Sequence, residues 1–410
     1  MPLRARVAAL FAAYFFGLGL FLPFFPLVLA EAGLGAGEIG TLLAVPLVVR
    51  LAANPLISAA VDRFASPGRA IGLLSLLAAI AFSGFFVVEG FLASALLLVV
   101  ISIAWSPLMP LGDALAARVE REGEGDYGRM RMWGSISFIL ANLAGGALVG
   151  QWTVEVVVGG IVAGLAGAAL AGWSVPLGRI RVLENESVSF VSPDLALAGL
   201  ETEEAGHGRR RGSLAAKLHL LRGEARFLDT GFILVVLAAG CVQASHAAYY
   251  AFSALFWSGI GLSGIWVGGL WGLGVITEIG LFAMSAGVRA RLGVTGLLAL
   301  GIGGAVLRWL LFPLAVDPAS IAALQLLHGL SFGATHLGAV AFVARNAPPQ
   351  WAGAAQGVMS MAGGVVTAIA SAAAGLLYAT GAVPAFAAMA GLAALGGGFL
   401  VAGLAARRGS

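Results

Sequence analysis

Twelve apolar runs, each long enough to cross a bilayer, fill nearly the whole of this chain. A spanning helix needs about 20 apolar residues, because the hydrocarbon core is about 30 Å thick and each helical residue rises about 1.5 Å. Barrel strands are about 10 residues long and alternate in polarity, so runs of this length specify helices. The runs fall at 7–30, 38–61, 69–89, 92–118, 130–150, 155–176, 227–257, 262–287, 293–314, 318–345, 351–379 and 383–405. Of the 410 residues, 60% are hydrophobic and 10% charged. Soluble domains are about 45–50% apolar and about 25% charged, so the solvent expected for this chain is lipid. The first run is too long for the apolar core of a cleavable signal and is read as a spanning helix.

One polar stretch interrupts the series. Residues 178–226 carry Glu184, Glu186, Glu201, Glu203, Glu204 and the basic run Arg209-Arg210-Arg211. Such a composition is expected of a solvated linker. It divides the chain into a six-helix bundle over 1–177, a cytoplasmic linker over 178–226 and a second six-helix bundle over 227–410.

Loop charges set the expected orientation. One set of loops holds Arg4, Arg6, Arg63, Arg69, Arg118, Arg121, Arg129, Arg289, Arg291, Arg345, Arg407 and Arg408. The alternate loops hold Glu31, Glu38, Glu89, Glu155 and Asp317 without Lys or Arg. Both termini and the linker are therefore expected in the cytoplasm, with the protein in a bacterial inner membrane. This segregation also accounts for the net charge of +3, which needs no nucleic-acid partner. A lone cysteine, Cys241, excludes an internal disulfide, and no cofactor or metal motif is present.

The halves carry a weak internal repeat. Gly33–Arg50 aligns without gaps on Gly261–Glu278, matching Gly40 to Gly268 and Leu42 to Leu270. Arg50 and Glu278 thus hold equivalent positions in the second helix of each half. The chain has 60 glycines. In membranes small residues let helix backbones approach closely, and packing is the plain reading of most of them.

Charges within spanning runs are costly, about 2.5–3.5 kcal/mol at mid-bilayer on insertion scales, and usually face a cavity or a partner. Glu278 precedes Arg289 by eleven residues, about 16 Å of helix rise, which puts it near the midplane. Arg50 lies twelve residues from both Glu38 and Asp62; Arg308 lies deep in the ninth run and Asp113 in the fourth. Gln325, His328 and His336 in the tenth run, and Gln243, His246, Tyr249 and Tyr250 in the seventh, supply polar company, as does Tyr14. A structural ion pair is the alternative reading for Glu278 and Arg308, and hydrogen-bonded packing the alternative for His246 and His336. A carboxyl that alternates between desolvated and cation-paired environments binds and releases a proton, so Glu278 is the candidate proton carrier.

The loop Asp62-Arg63-Phe64-Ala65-Ser66-Pro67-Gly68-Arg69 resembles a degenerate form of the major facilitator superfamily's signature loop, with a weaker counterpart at Arg289–Gly293. The stretch from Tyr127-Gly128-Arg129-Met130-Arg131 to Ser135 resembles the lactose permease and nucleoside-proton symporter branch. Tyr14-Phe15-Phe16-Gly17, Leu22–Pro26 and Gln325–His336 are similar to its phenylpropionate permease subgroup. The resemblance implies a gating latch at Asp62, with Arg63 and Arg69 beside it. It implies substrate contacts at Asp113 and Arg131, with Phe138 at the position of a stacking tryptophan. It implies a coupling cluster of Glu278, Arg308 and His328. The branch's second carboxylate, three residues after the histidine, is replaced by Ser331.

The function expected is proton-coupled symport of a small organic solute by alternating access. Substrate would sit between the bundles near Tyr14, Arg50, Asp113, Arg131 and Phe138, with Gln243, His246, Tyr250 and His336 opposite. The excess of buried arginines favours a small anion, and the apolar walls favour an aromatic or amphiphilic carboxylate. The partners expected are that solute, the proton and the bilayer, around a monomer. A proton-driven exporter of drugs or metabolites fits the same pattern. A membrane-embedded enzyme or a ligand sensor is disfavoured, because no HExxH, nucleophile or paired-carboxylate catalytic pattern and no signalling domain appear.

Overall fold

The computed structural model describes residues 1–61, 66–153, 155–176, 228–348 and 351–408. Among the described residues, twelve helices are long and apolar enough to span a membrane. They are α1 (Leu3–Glu31), α2 (Ala36–Val61), α3 (Pro67–Phe86), α4 (Phe91–Arg121), α5 (Tyr127–Val149), α6 (Glu155–Ser174), α7 (Thr230–Gly259), α8 (Gly264–Ala283), α9 (Ser285–Leu314), α10 (Pro318–Asn346), α11 (Ala352–Tyr378) and α12 (Ala382–Arg408). The expected linker, Asp62 and Arg63 lie outside the described residues.

Helix starts follow local chemistry. Ser66, Asp126, Asp229 and Asp317 each accept hydrogen bonds from first-turn backbone N–H groups, which no intrahelical carbonyl can reach. Pro67 and Pro318 occupy first helical positions, where a missing N–H costs nothing.

Three spans expected to be continuous are interrupted. In α4 the first segment ends at Trp105 and the second begins at Leu108, across Ser106-Pro107. Proline removes a helical donor and clashes with the preceding turn. In α7 the break falls between Ala244 and Ala247, and in α10 Pro318–Leu326 is followed by a π-helical stretch, Gly329–Ala334. In α9 the helical course is broken at Gly293, where φ is +64°. The expected boundary between the eighth and ninth spans therefore moves: α8 stops at Ala283, and Ser285–Leu292 forms a short helix before the break.

Within each half, backbones cross at small residues. A Cβ on Gly164 of α6 would lie 2.8 Å from the Gly17 nitrogen of α1, and one on Gly172 2.8 Å from the Gly72 nitrogen of α3. A Cβ on Gly396 of α12 would lie 2.8 Å from the Ala238 oxygen of α7. Lipid tails are as apolar as leucine, so close backbone approach supplies the attraction that water supplies elsewhere.

The internal repeat holds in the backbone. Gly33 and Gly261 both adopt positive φ, 81° and 90° respectively, just ahead of α2 and α8. Gly40 and Gly268 both mark crossings with the opposite half. A Cβ on Gly40 would meet the Ser371 oxygen of α11 at 2.6 Å, and one on Gly268 would overlap the Asn142 oxygen of α5. Gly146 and Gly264 form a third contact of this kind. All these contacts lie toward the end with acidic loops. Toward the arginine-rich end, Leu108–Arg121, Thr230–Ala244 and Thr335–Asn346 take their packing from their own halves. The two bundles therefore meet at one end and part toward the other, around a central cleft.

Candidate functional site

The second half holds a buried chain of polar contacts between its helices. Arg308, with no exposed surface, donates from Nη1 to His328 Nδ1 at 2.9 Å and to Ser331 Oγ at 3.4 Å. Its Nη2 donates to Gln325 Oε1, and Gln325 Nε2 donates to the Tyr249 hydroxyl at 3.1 Å. The guanidinium also stacks over Tyr249 and Trp309, each 4.6 Å away, contacts that strengthen as water is excluded.

Donor chemistry assigns the imidazole protons. A guanidinium has only donors, so His328 Nδ1 is the acceptor and its proton resides on Nε2. That nitrogen faces Glu278 Oε2 at 3.9 Å. The same reasoning applies to His246. Its Nδ1 lies 3.1 Å from the Val242 carbonyl, which only accepts, so Nε2 is an acceptor for the Ser331 hydroxyl at 3.2 Å. Ser331 is thus the hub joining the two histidines through Arg308. In the sequence it stands out only as a missing carboxylate.

Glu278 and Arg308 do not touch: His328 stands between them, which sets aside a direct ion pair. Glu278 has 21% of its side chain exposed, against 8% for His328. Glu278 therefore reaches the cleft, while the histidine is sealed behind it. Tyr250 of α7 and Arg131 of α5 lie within electrostatic range of Glu278.

Across the cleft the first half presents cations. Arg131 lies over Phe15 at 4.0 Å and Phe11 at 5.5 Å. Asp113 accepts from the Tyr127 hydroxyl at 2.9 Å. Tyr14 lies within electrostatic range of Arg131, Asp113 and Arg50. Arg50 is exposed in the cleft and extends toward Gly364 of α11. Among the described residues neither Arg50 nor Arg131 has a carboxylate within 4 Å. Sequence alone does not single out Tyr127 as a site residue, although it lies four residues before Arg131 on one helix face, the spacing at which side chains meet.

The remaining candidates are placed differently. His246 has no exposed surface and both its nitrogens are partnered. Gln243 donates to the Phe332 carbonyl at 3.3 Å. His328, Phe332 and His336 stack in a ladder along α10, and His336 is exposed. Phe138 is packed in the core of its half, with 7% exposed, near the crossing where α1 passes at Gly19. Arg69 is exposed at the start of α3, and its N–H donates to Ser66 Oγ at 3.4 Å. A separate cavity of about 410 Å³ near Arg289, Gly293 and Arg345 lies outside this cluster.

Two facing half-sites in bundles that meet at one end, with buried ionisable groups between them, fit the architecture of a carrier. Residues 5–388 match the MFS_1 like family. The chain belongs to this family. An Escherichia coli (strain K12) protein described as a probable 3-phenylpropionic acid transporter is 32% identical over 336 residues, 81% of this chain and 79% of its own. A maltose permease of Geobacillus stearothermophilus is 38% identical over 140 residues, 33% of this chain and 34% of its own. Among solved structures, the nucleoside transporter NupG superposes with a TM-score of 0.77 at 16% identity, over 99% of both chains. The peptide transporter POT in complex with sulfate gives 0.71 at 14% identity, over 99% of this chain and 95% of its own. Like these MFS relatives, the chain has the major facilitator fold of two six-helix bundles. It is a secondary transporter and not an enzyme.

Proposed function

We propose that the chain is a proton-coupled symporter of a small aromatic carboxylate, operating in the bacterial inner membrane with both termini in the cytoplasm. One observation carries the substrate class. The described membrane interior holds three guanidinium groups, Arg50, Arg131 and Arg308, against two carboxylates, Asp113 and Glu278. The balance is +1 with both acids ionised and +2 with Glu278 protonated. Arg50 and Arg131 have no carboxylate within 4 Å among the described residues and can take one from the cleft, Arg131 from beside the Tyr127 hydroxyl, whereas Arg308 is engaged by His328 and Gln325. One proton on Glu278 plus one monovalent anion between Arg50 and Arg131 restores the original balance, so the two ligands favour each other. Phe11, Phe15 and Tyr14 give the anion an apolar wall. The E. coli relative's description supports the same class.

In this reading Glu278 carries the proton, and His328 keeps Arg308 from pairing with it directly. Asp113 is held by Tyr127, and so leaves Arg131 available. The positive-inside rule supports a cleft open to the cytoplasm here, the state that releases substrate in an importer.

The test is uptake of 3-phenylpropionate into proteoliposomes with an imposed pH gradient, acidic outside. Accumulation above the equilibrium level, abolished by a protonophore, is the expected result. Binding of aromatic carboxylates without gradient-driven accumulation refutes the coupling; no binding of any carboxylate refutes the substrate class.

A further inference from the structure

We propose that Thr277 is the positioning residue of the coupling pair: its hydroxyl clamps α8 to the break in α10 and so sets the register between Glu278 and His328. The inference rests on the coupling role proposed for Glu278.

The break in α10 frees backbone donors that an unbroken helix would satisfy. Gly329 opens the π-helical stretch, and its N–H donates to Thr277 Oγ1 of α8 at 3.1 Å. The Thr277 hydroxyl has one proton, which it donates to the Gly274 carbonyl at 2.7 Å. Donation and acceptance are therefore both committed, and the contact has a single polarity. The backbones also touch. A Cβ on Gly329 would lie 2.8 Å from the Thr277 carbonyl oxygen, which the absence of a side chain permits. Helices α8 and α10 are thus pinned by a hydrogen bond and a backbone contact at one point.

The flanking residues give the pin its consequence. Glu278 comes directly after Thr277 and His328 directly before Gly329, and their side chains face each other at 3.9 Å. Among the described residues, the clamp is the hydrogen bond that joins α8 to α10. The groups that face Glu278 are His328 from α10, Tyr250 from α7 and Arg131 from α5. Of these, only His328 is held in register by the clamp. π-Helical segments recur at functional sites, where the extra residue rotates the rest of the helix relative to its neighbours. Here the segment also carries Ser331, the hub between the histidines.

The test needs no substrate. The carboxyl band of Glu278 is followed by difference infrared spectroscopy against pH in the purified protein, with Glu278→Gln identifying the band. Thr277→Val removes the hydroxyl at nearly constant volume, and Thr277→Ala removes it without the second methyl. Thr277→Ser keeps it. Loss of a buried hydrogen bond shifts coupled equilibria by about three- to tenfold, so both hydroxyl-free variants should move the midpoint by about half a unit to one unit. Thr277→Ser should retain the wild-type midpoint. A midpoint unchanged in both Val and Ala variants overturns the clamp while leaving the coupling role of Glu278 intact. If no titrating band is lost in Glu278→Gln, the coupling role is overturned and the clamp with it. A merely structural Thr277 would lower thermal stability without moving the midpoint.

Discussion

Arg308 donates to the Nδ1 of His328 at 2.9 Å, and that single contact fixes which proton the imidazole keeps. A second proton on His328 would set an N–H against the guanidinium N–H groups. The histidine thus stands as a spacer between Arg308 and Glu278, and in the proposed coupling the exchangeable charge is the carboxyl's. The same contact explains how a buried arginine can sit near a carboxylate without capturing it.

Glu278→Gln should therefore abolish pH-gradient-driven accumulation in proteoliposomes while leaving exchange of labelled for unlabelled substrate. Gradient-driven accumulation at wild-type levels would remove Glu278 from the proton path.

Arg131→Ala and Arg50→Ala should each weaken carboxylate binding by about 1.5–3 kcal/mol, the range for hydrogen bonds to charged groups, or roughly ten- to a hundredfold. Isothermal titration with 3-phenylpropionate measures it. Tyr127→Phe should act in the same direction but less strongly, because Asp113, released from its hydroxyl partner, becomes free to compete for Arg131. Affinities equal to wild type in both arginine variants would place the anion elsewhere.

Gly268→Ala should open the closed end. Its new methyl has no room beside the Asn142 carbonyl, and the only relief is separation of α5 from α8. Cysteines engineered toward the two ends should change labelling rates in opposite directions, and the single native Cys241, 3% exposed, adds little background. Labelling rates matching wild type at both ends would show that the crossing tolerates a Cβ.

Asp317 caps α10 on the acidic-loop side. Hydrogen bonds from the Ser320 hydroxyl, and from the Ser320 and Ala319 N–H groups, hold its carboxyl below the usual carboxylate range. A carboxyl depressed in the folded state stabilises above its unfolded pKa, and that contribution is lost as pH falls through the folded value. Asp317→Ala should thus lower thermal stability slightly at neutral pH, and the difference from wild type should vanish in acid below the ordinary Asp range. A difference independent of pH would show that the cap acts without its charge.

Much of the site is legible in the sequence because lipid makes charge conspicuous. Arg50, Asp113, Glu278 and Arg308 stand out as ionisable residues in apolar runs; in the structure Arg50, Asp113 and Glu278 share electrostatic range with Tyr14 and Arg131, and His328 and Arg308 pack behind Glu278. Less conspicuous residues stay hidden. Tyr127 and Ser331 carry no charge, and a hydroxyl is common enough in a helix to pass as packing. Phe138 holds a motif position, but its side chain sits in the packing core of its half.

Span number, helical class and the division into halves were determined by the chain alone, because bilayer thickness and backbone hydrogen bonding leave an apolar run of this length one solution. Loop charges likewise oriented the expectation, since translocating arginine is costly whatever the fold. Only the tertiary structure decided where α7 and α10 break, which histidine nitrogen carries the proton, and which end of the cleft is closed. Those depend on contacts between residues far apart in sequence, such as Gly268 with Asn142 and Thr277 with Gly329. No local pattern encodes them, because each is settled by how closely two backbones can approach.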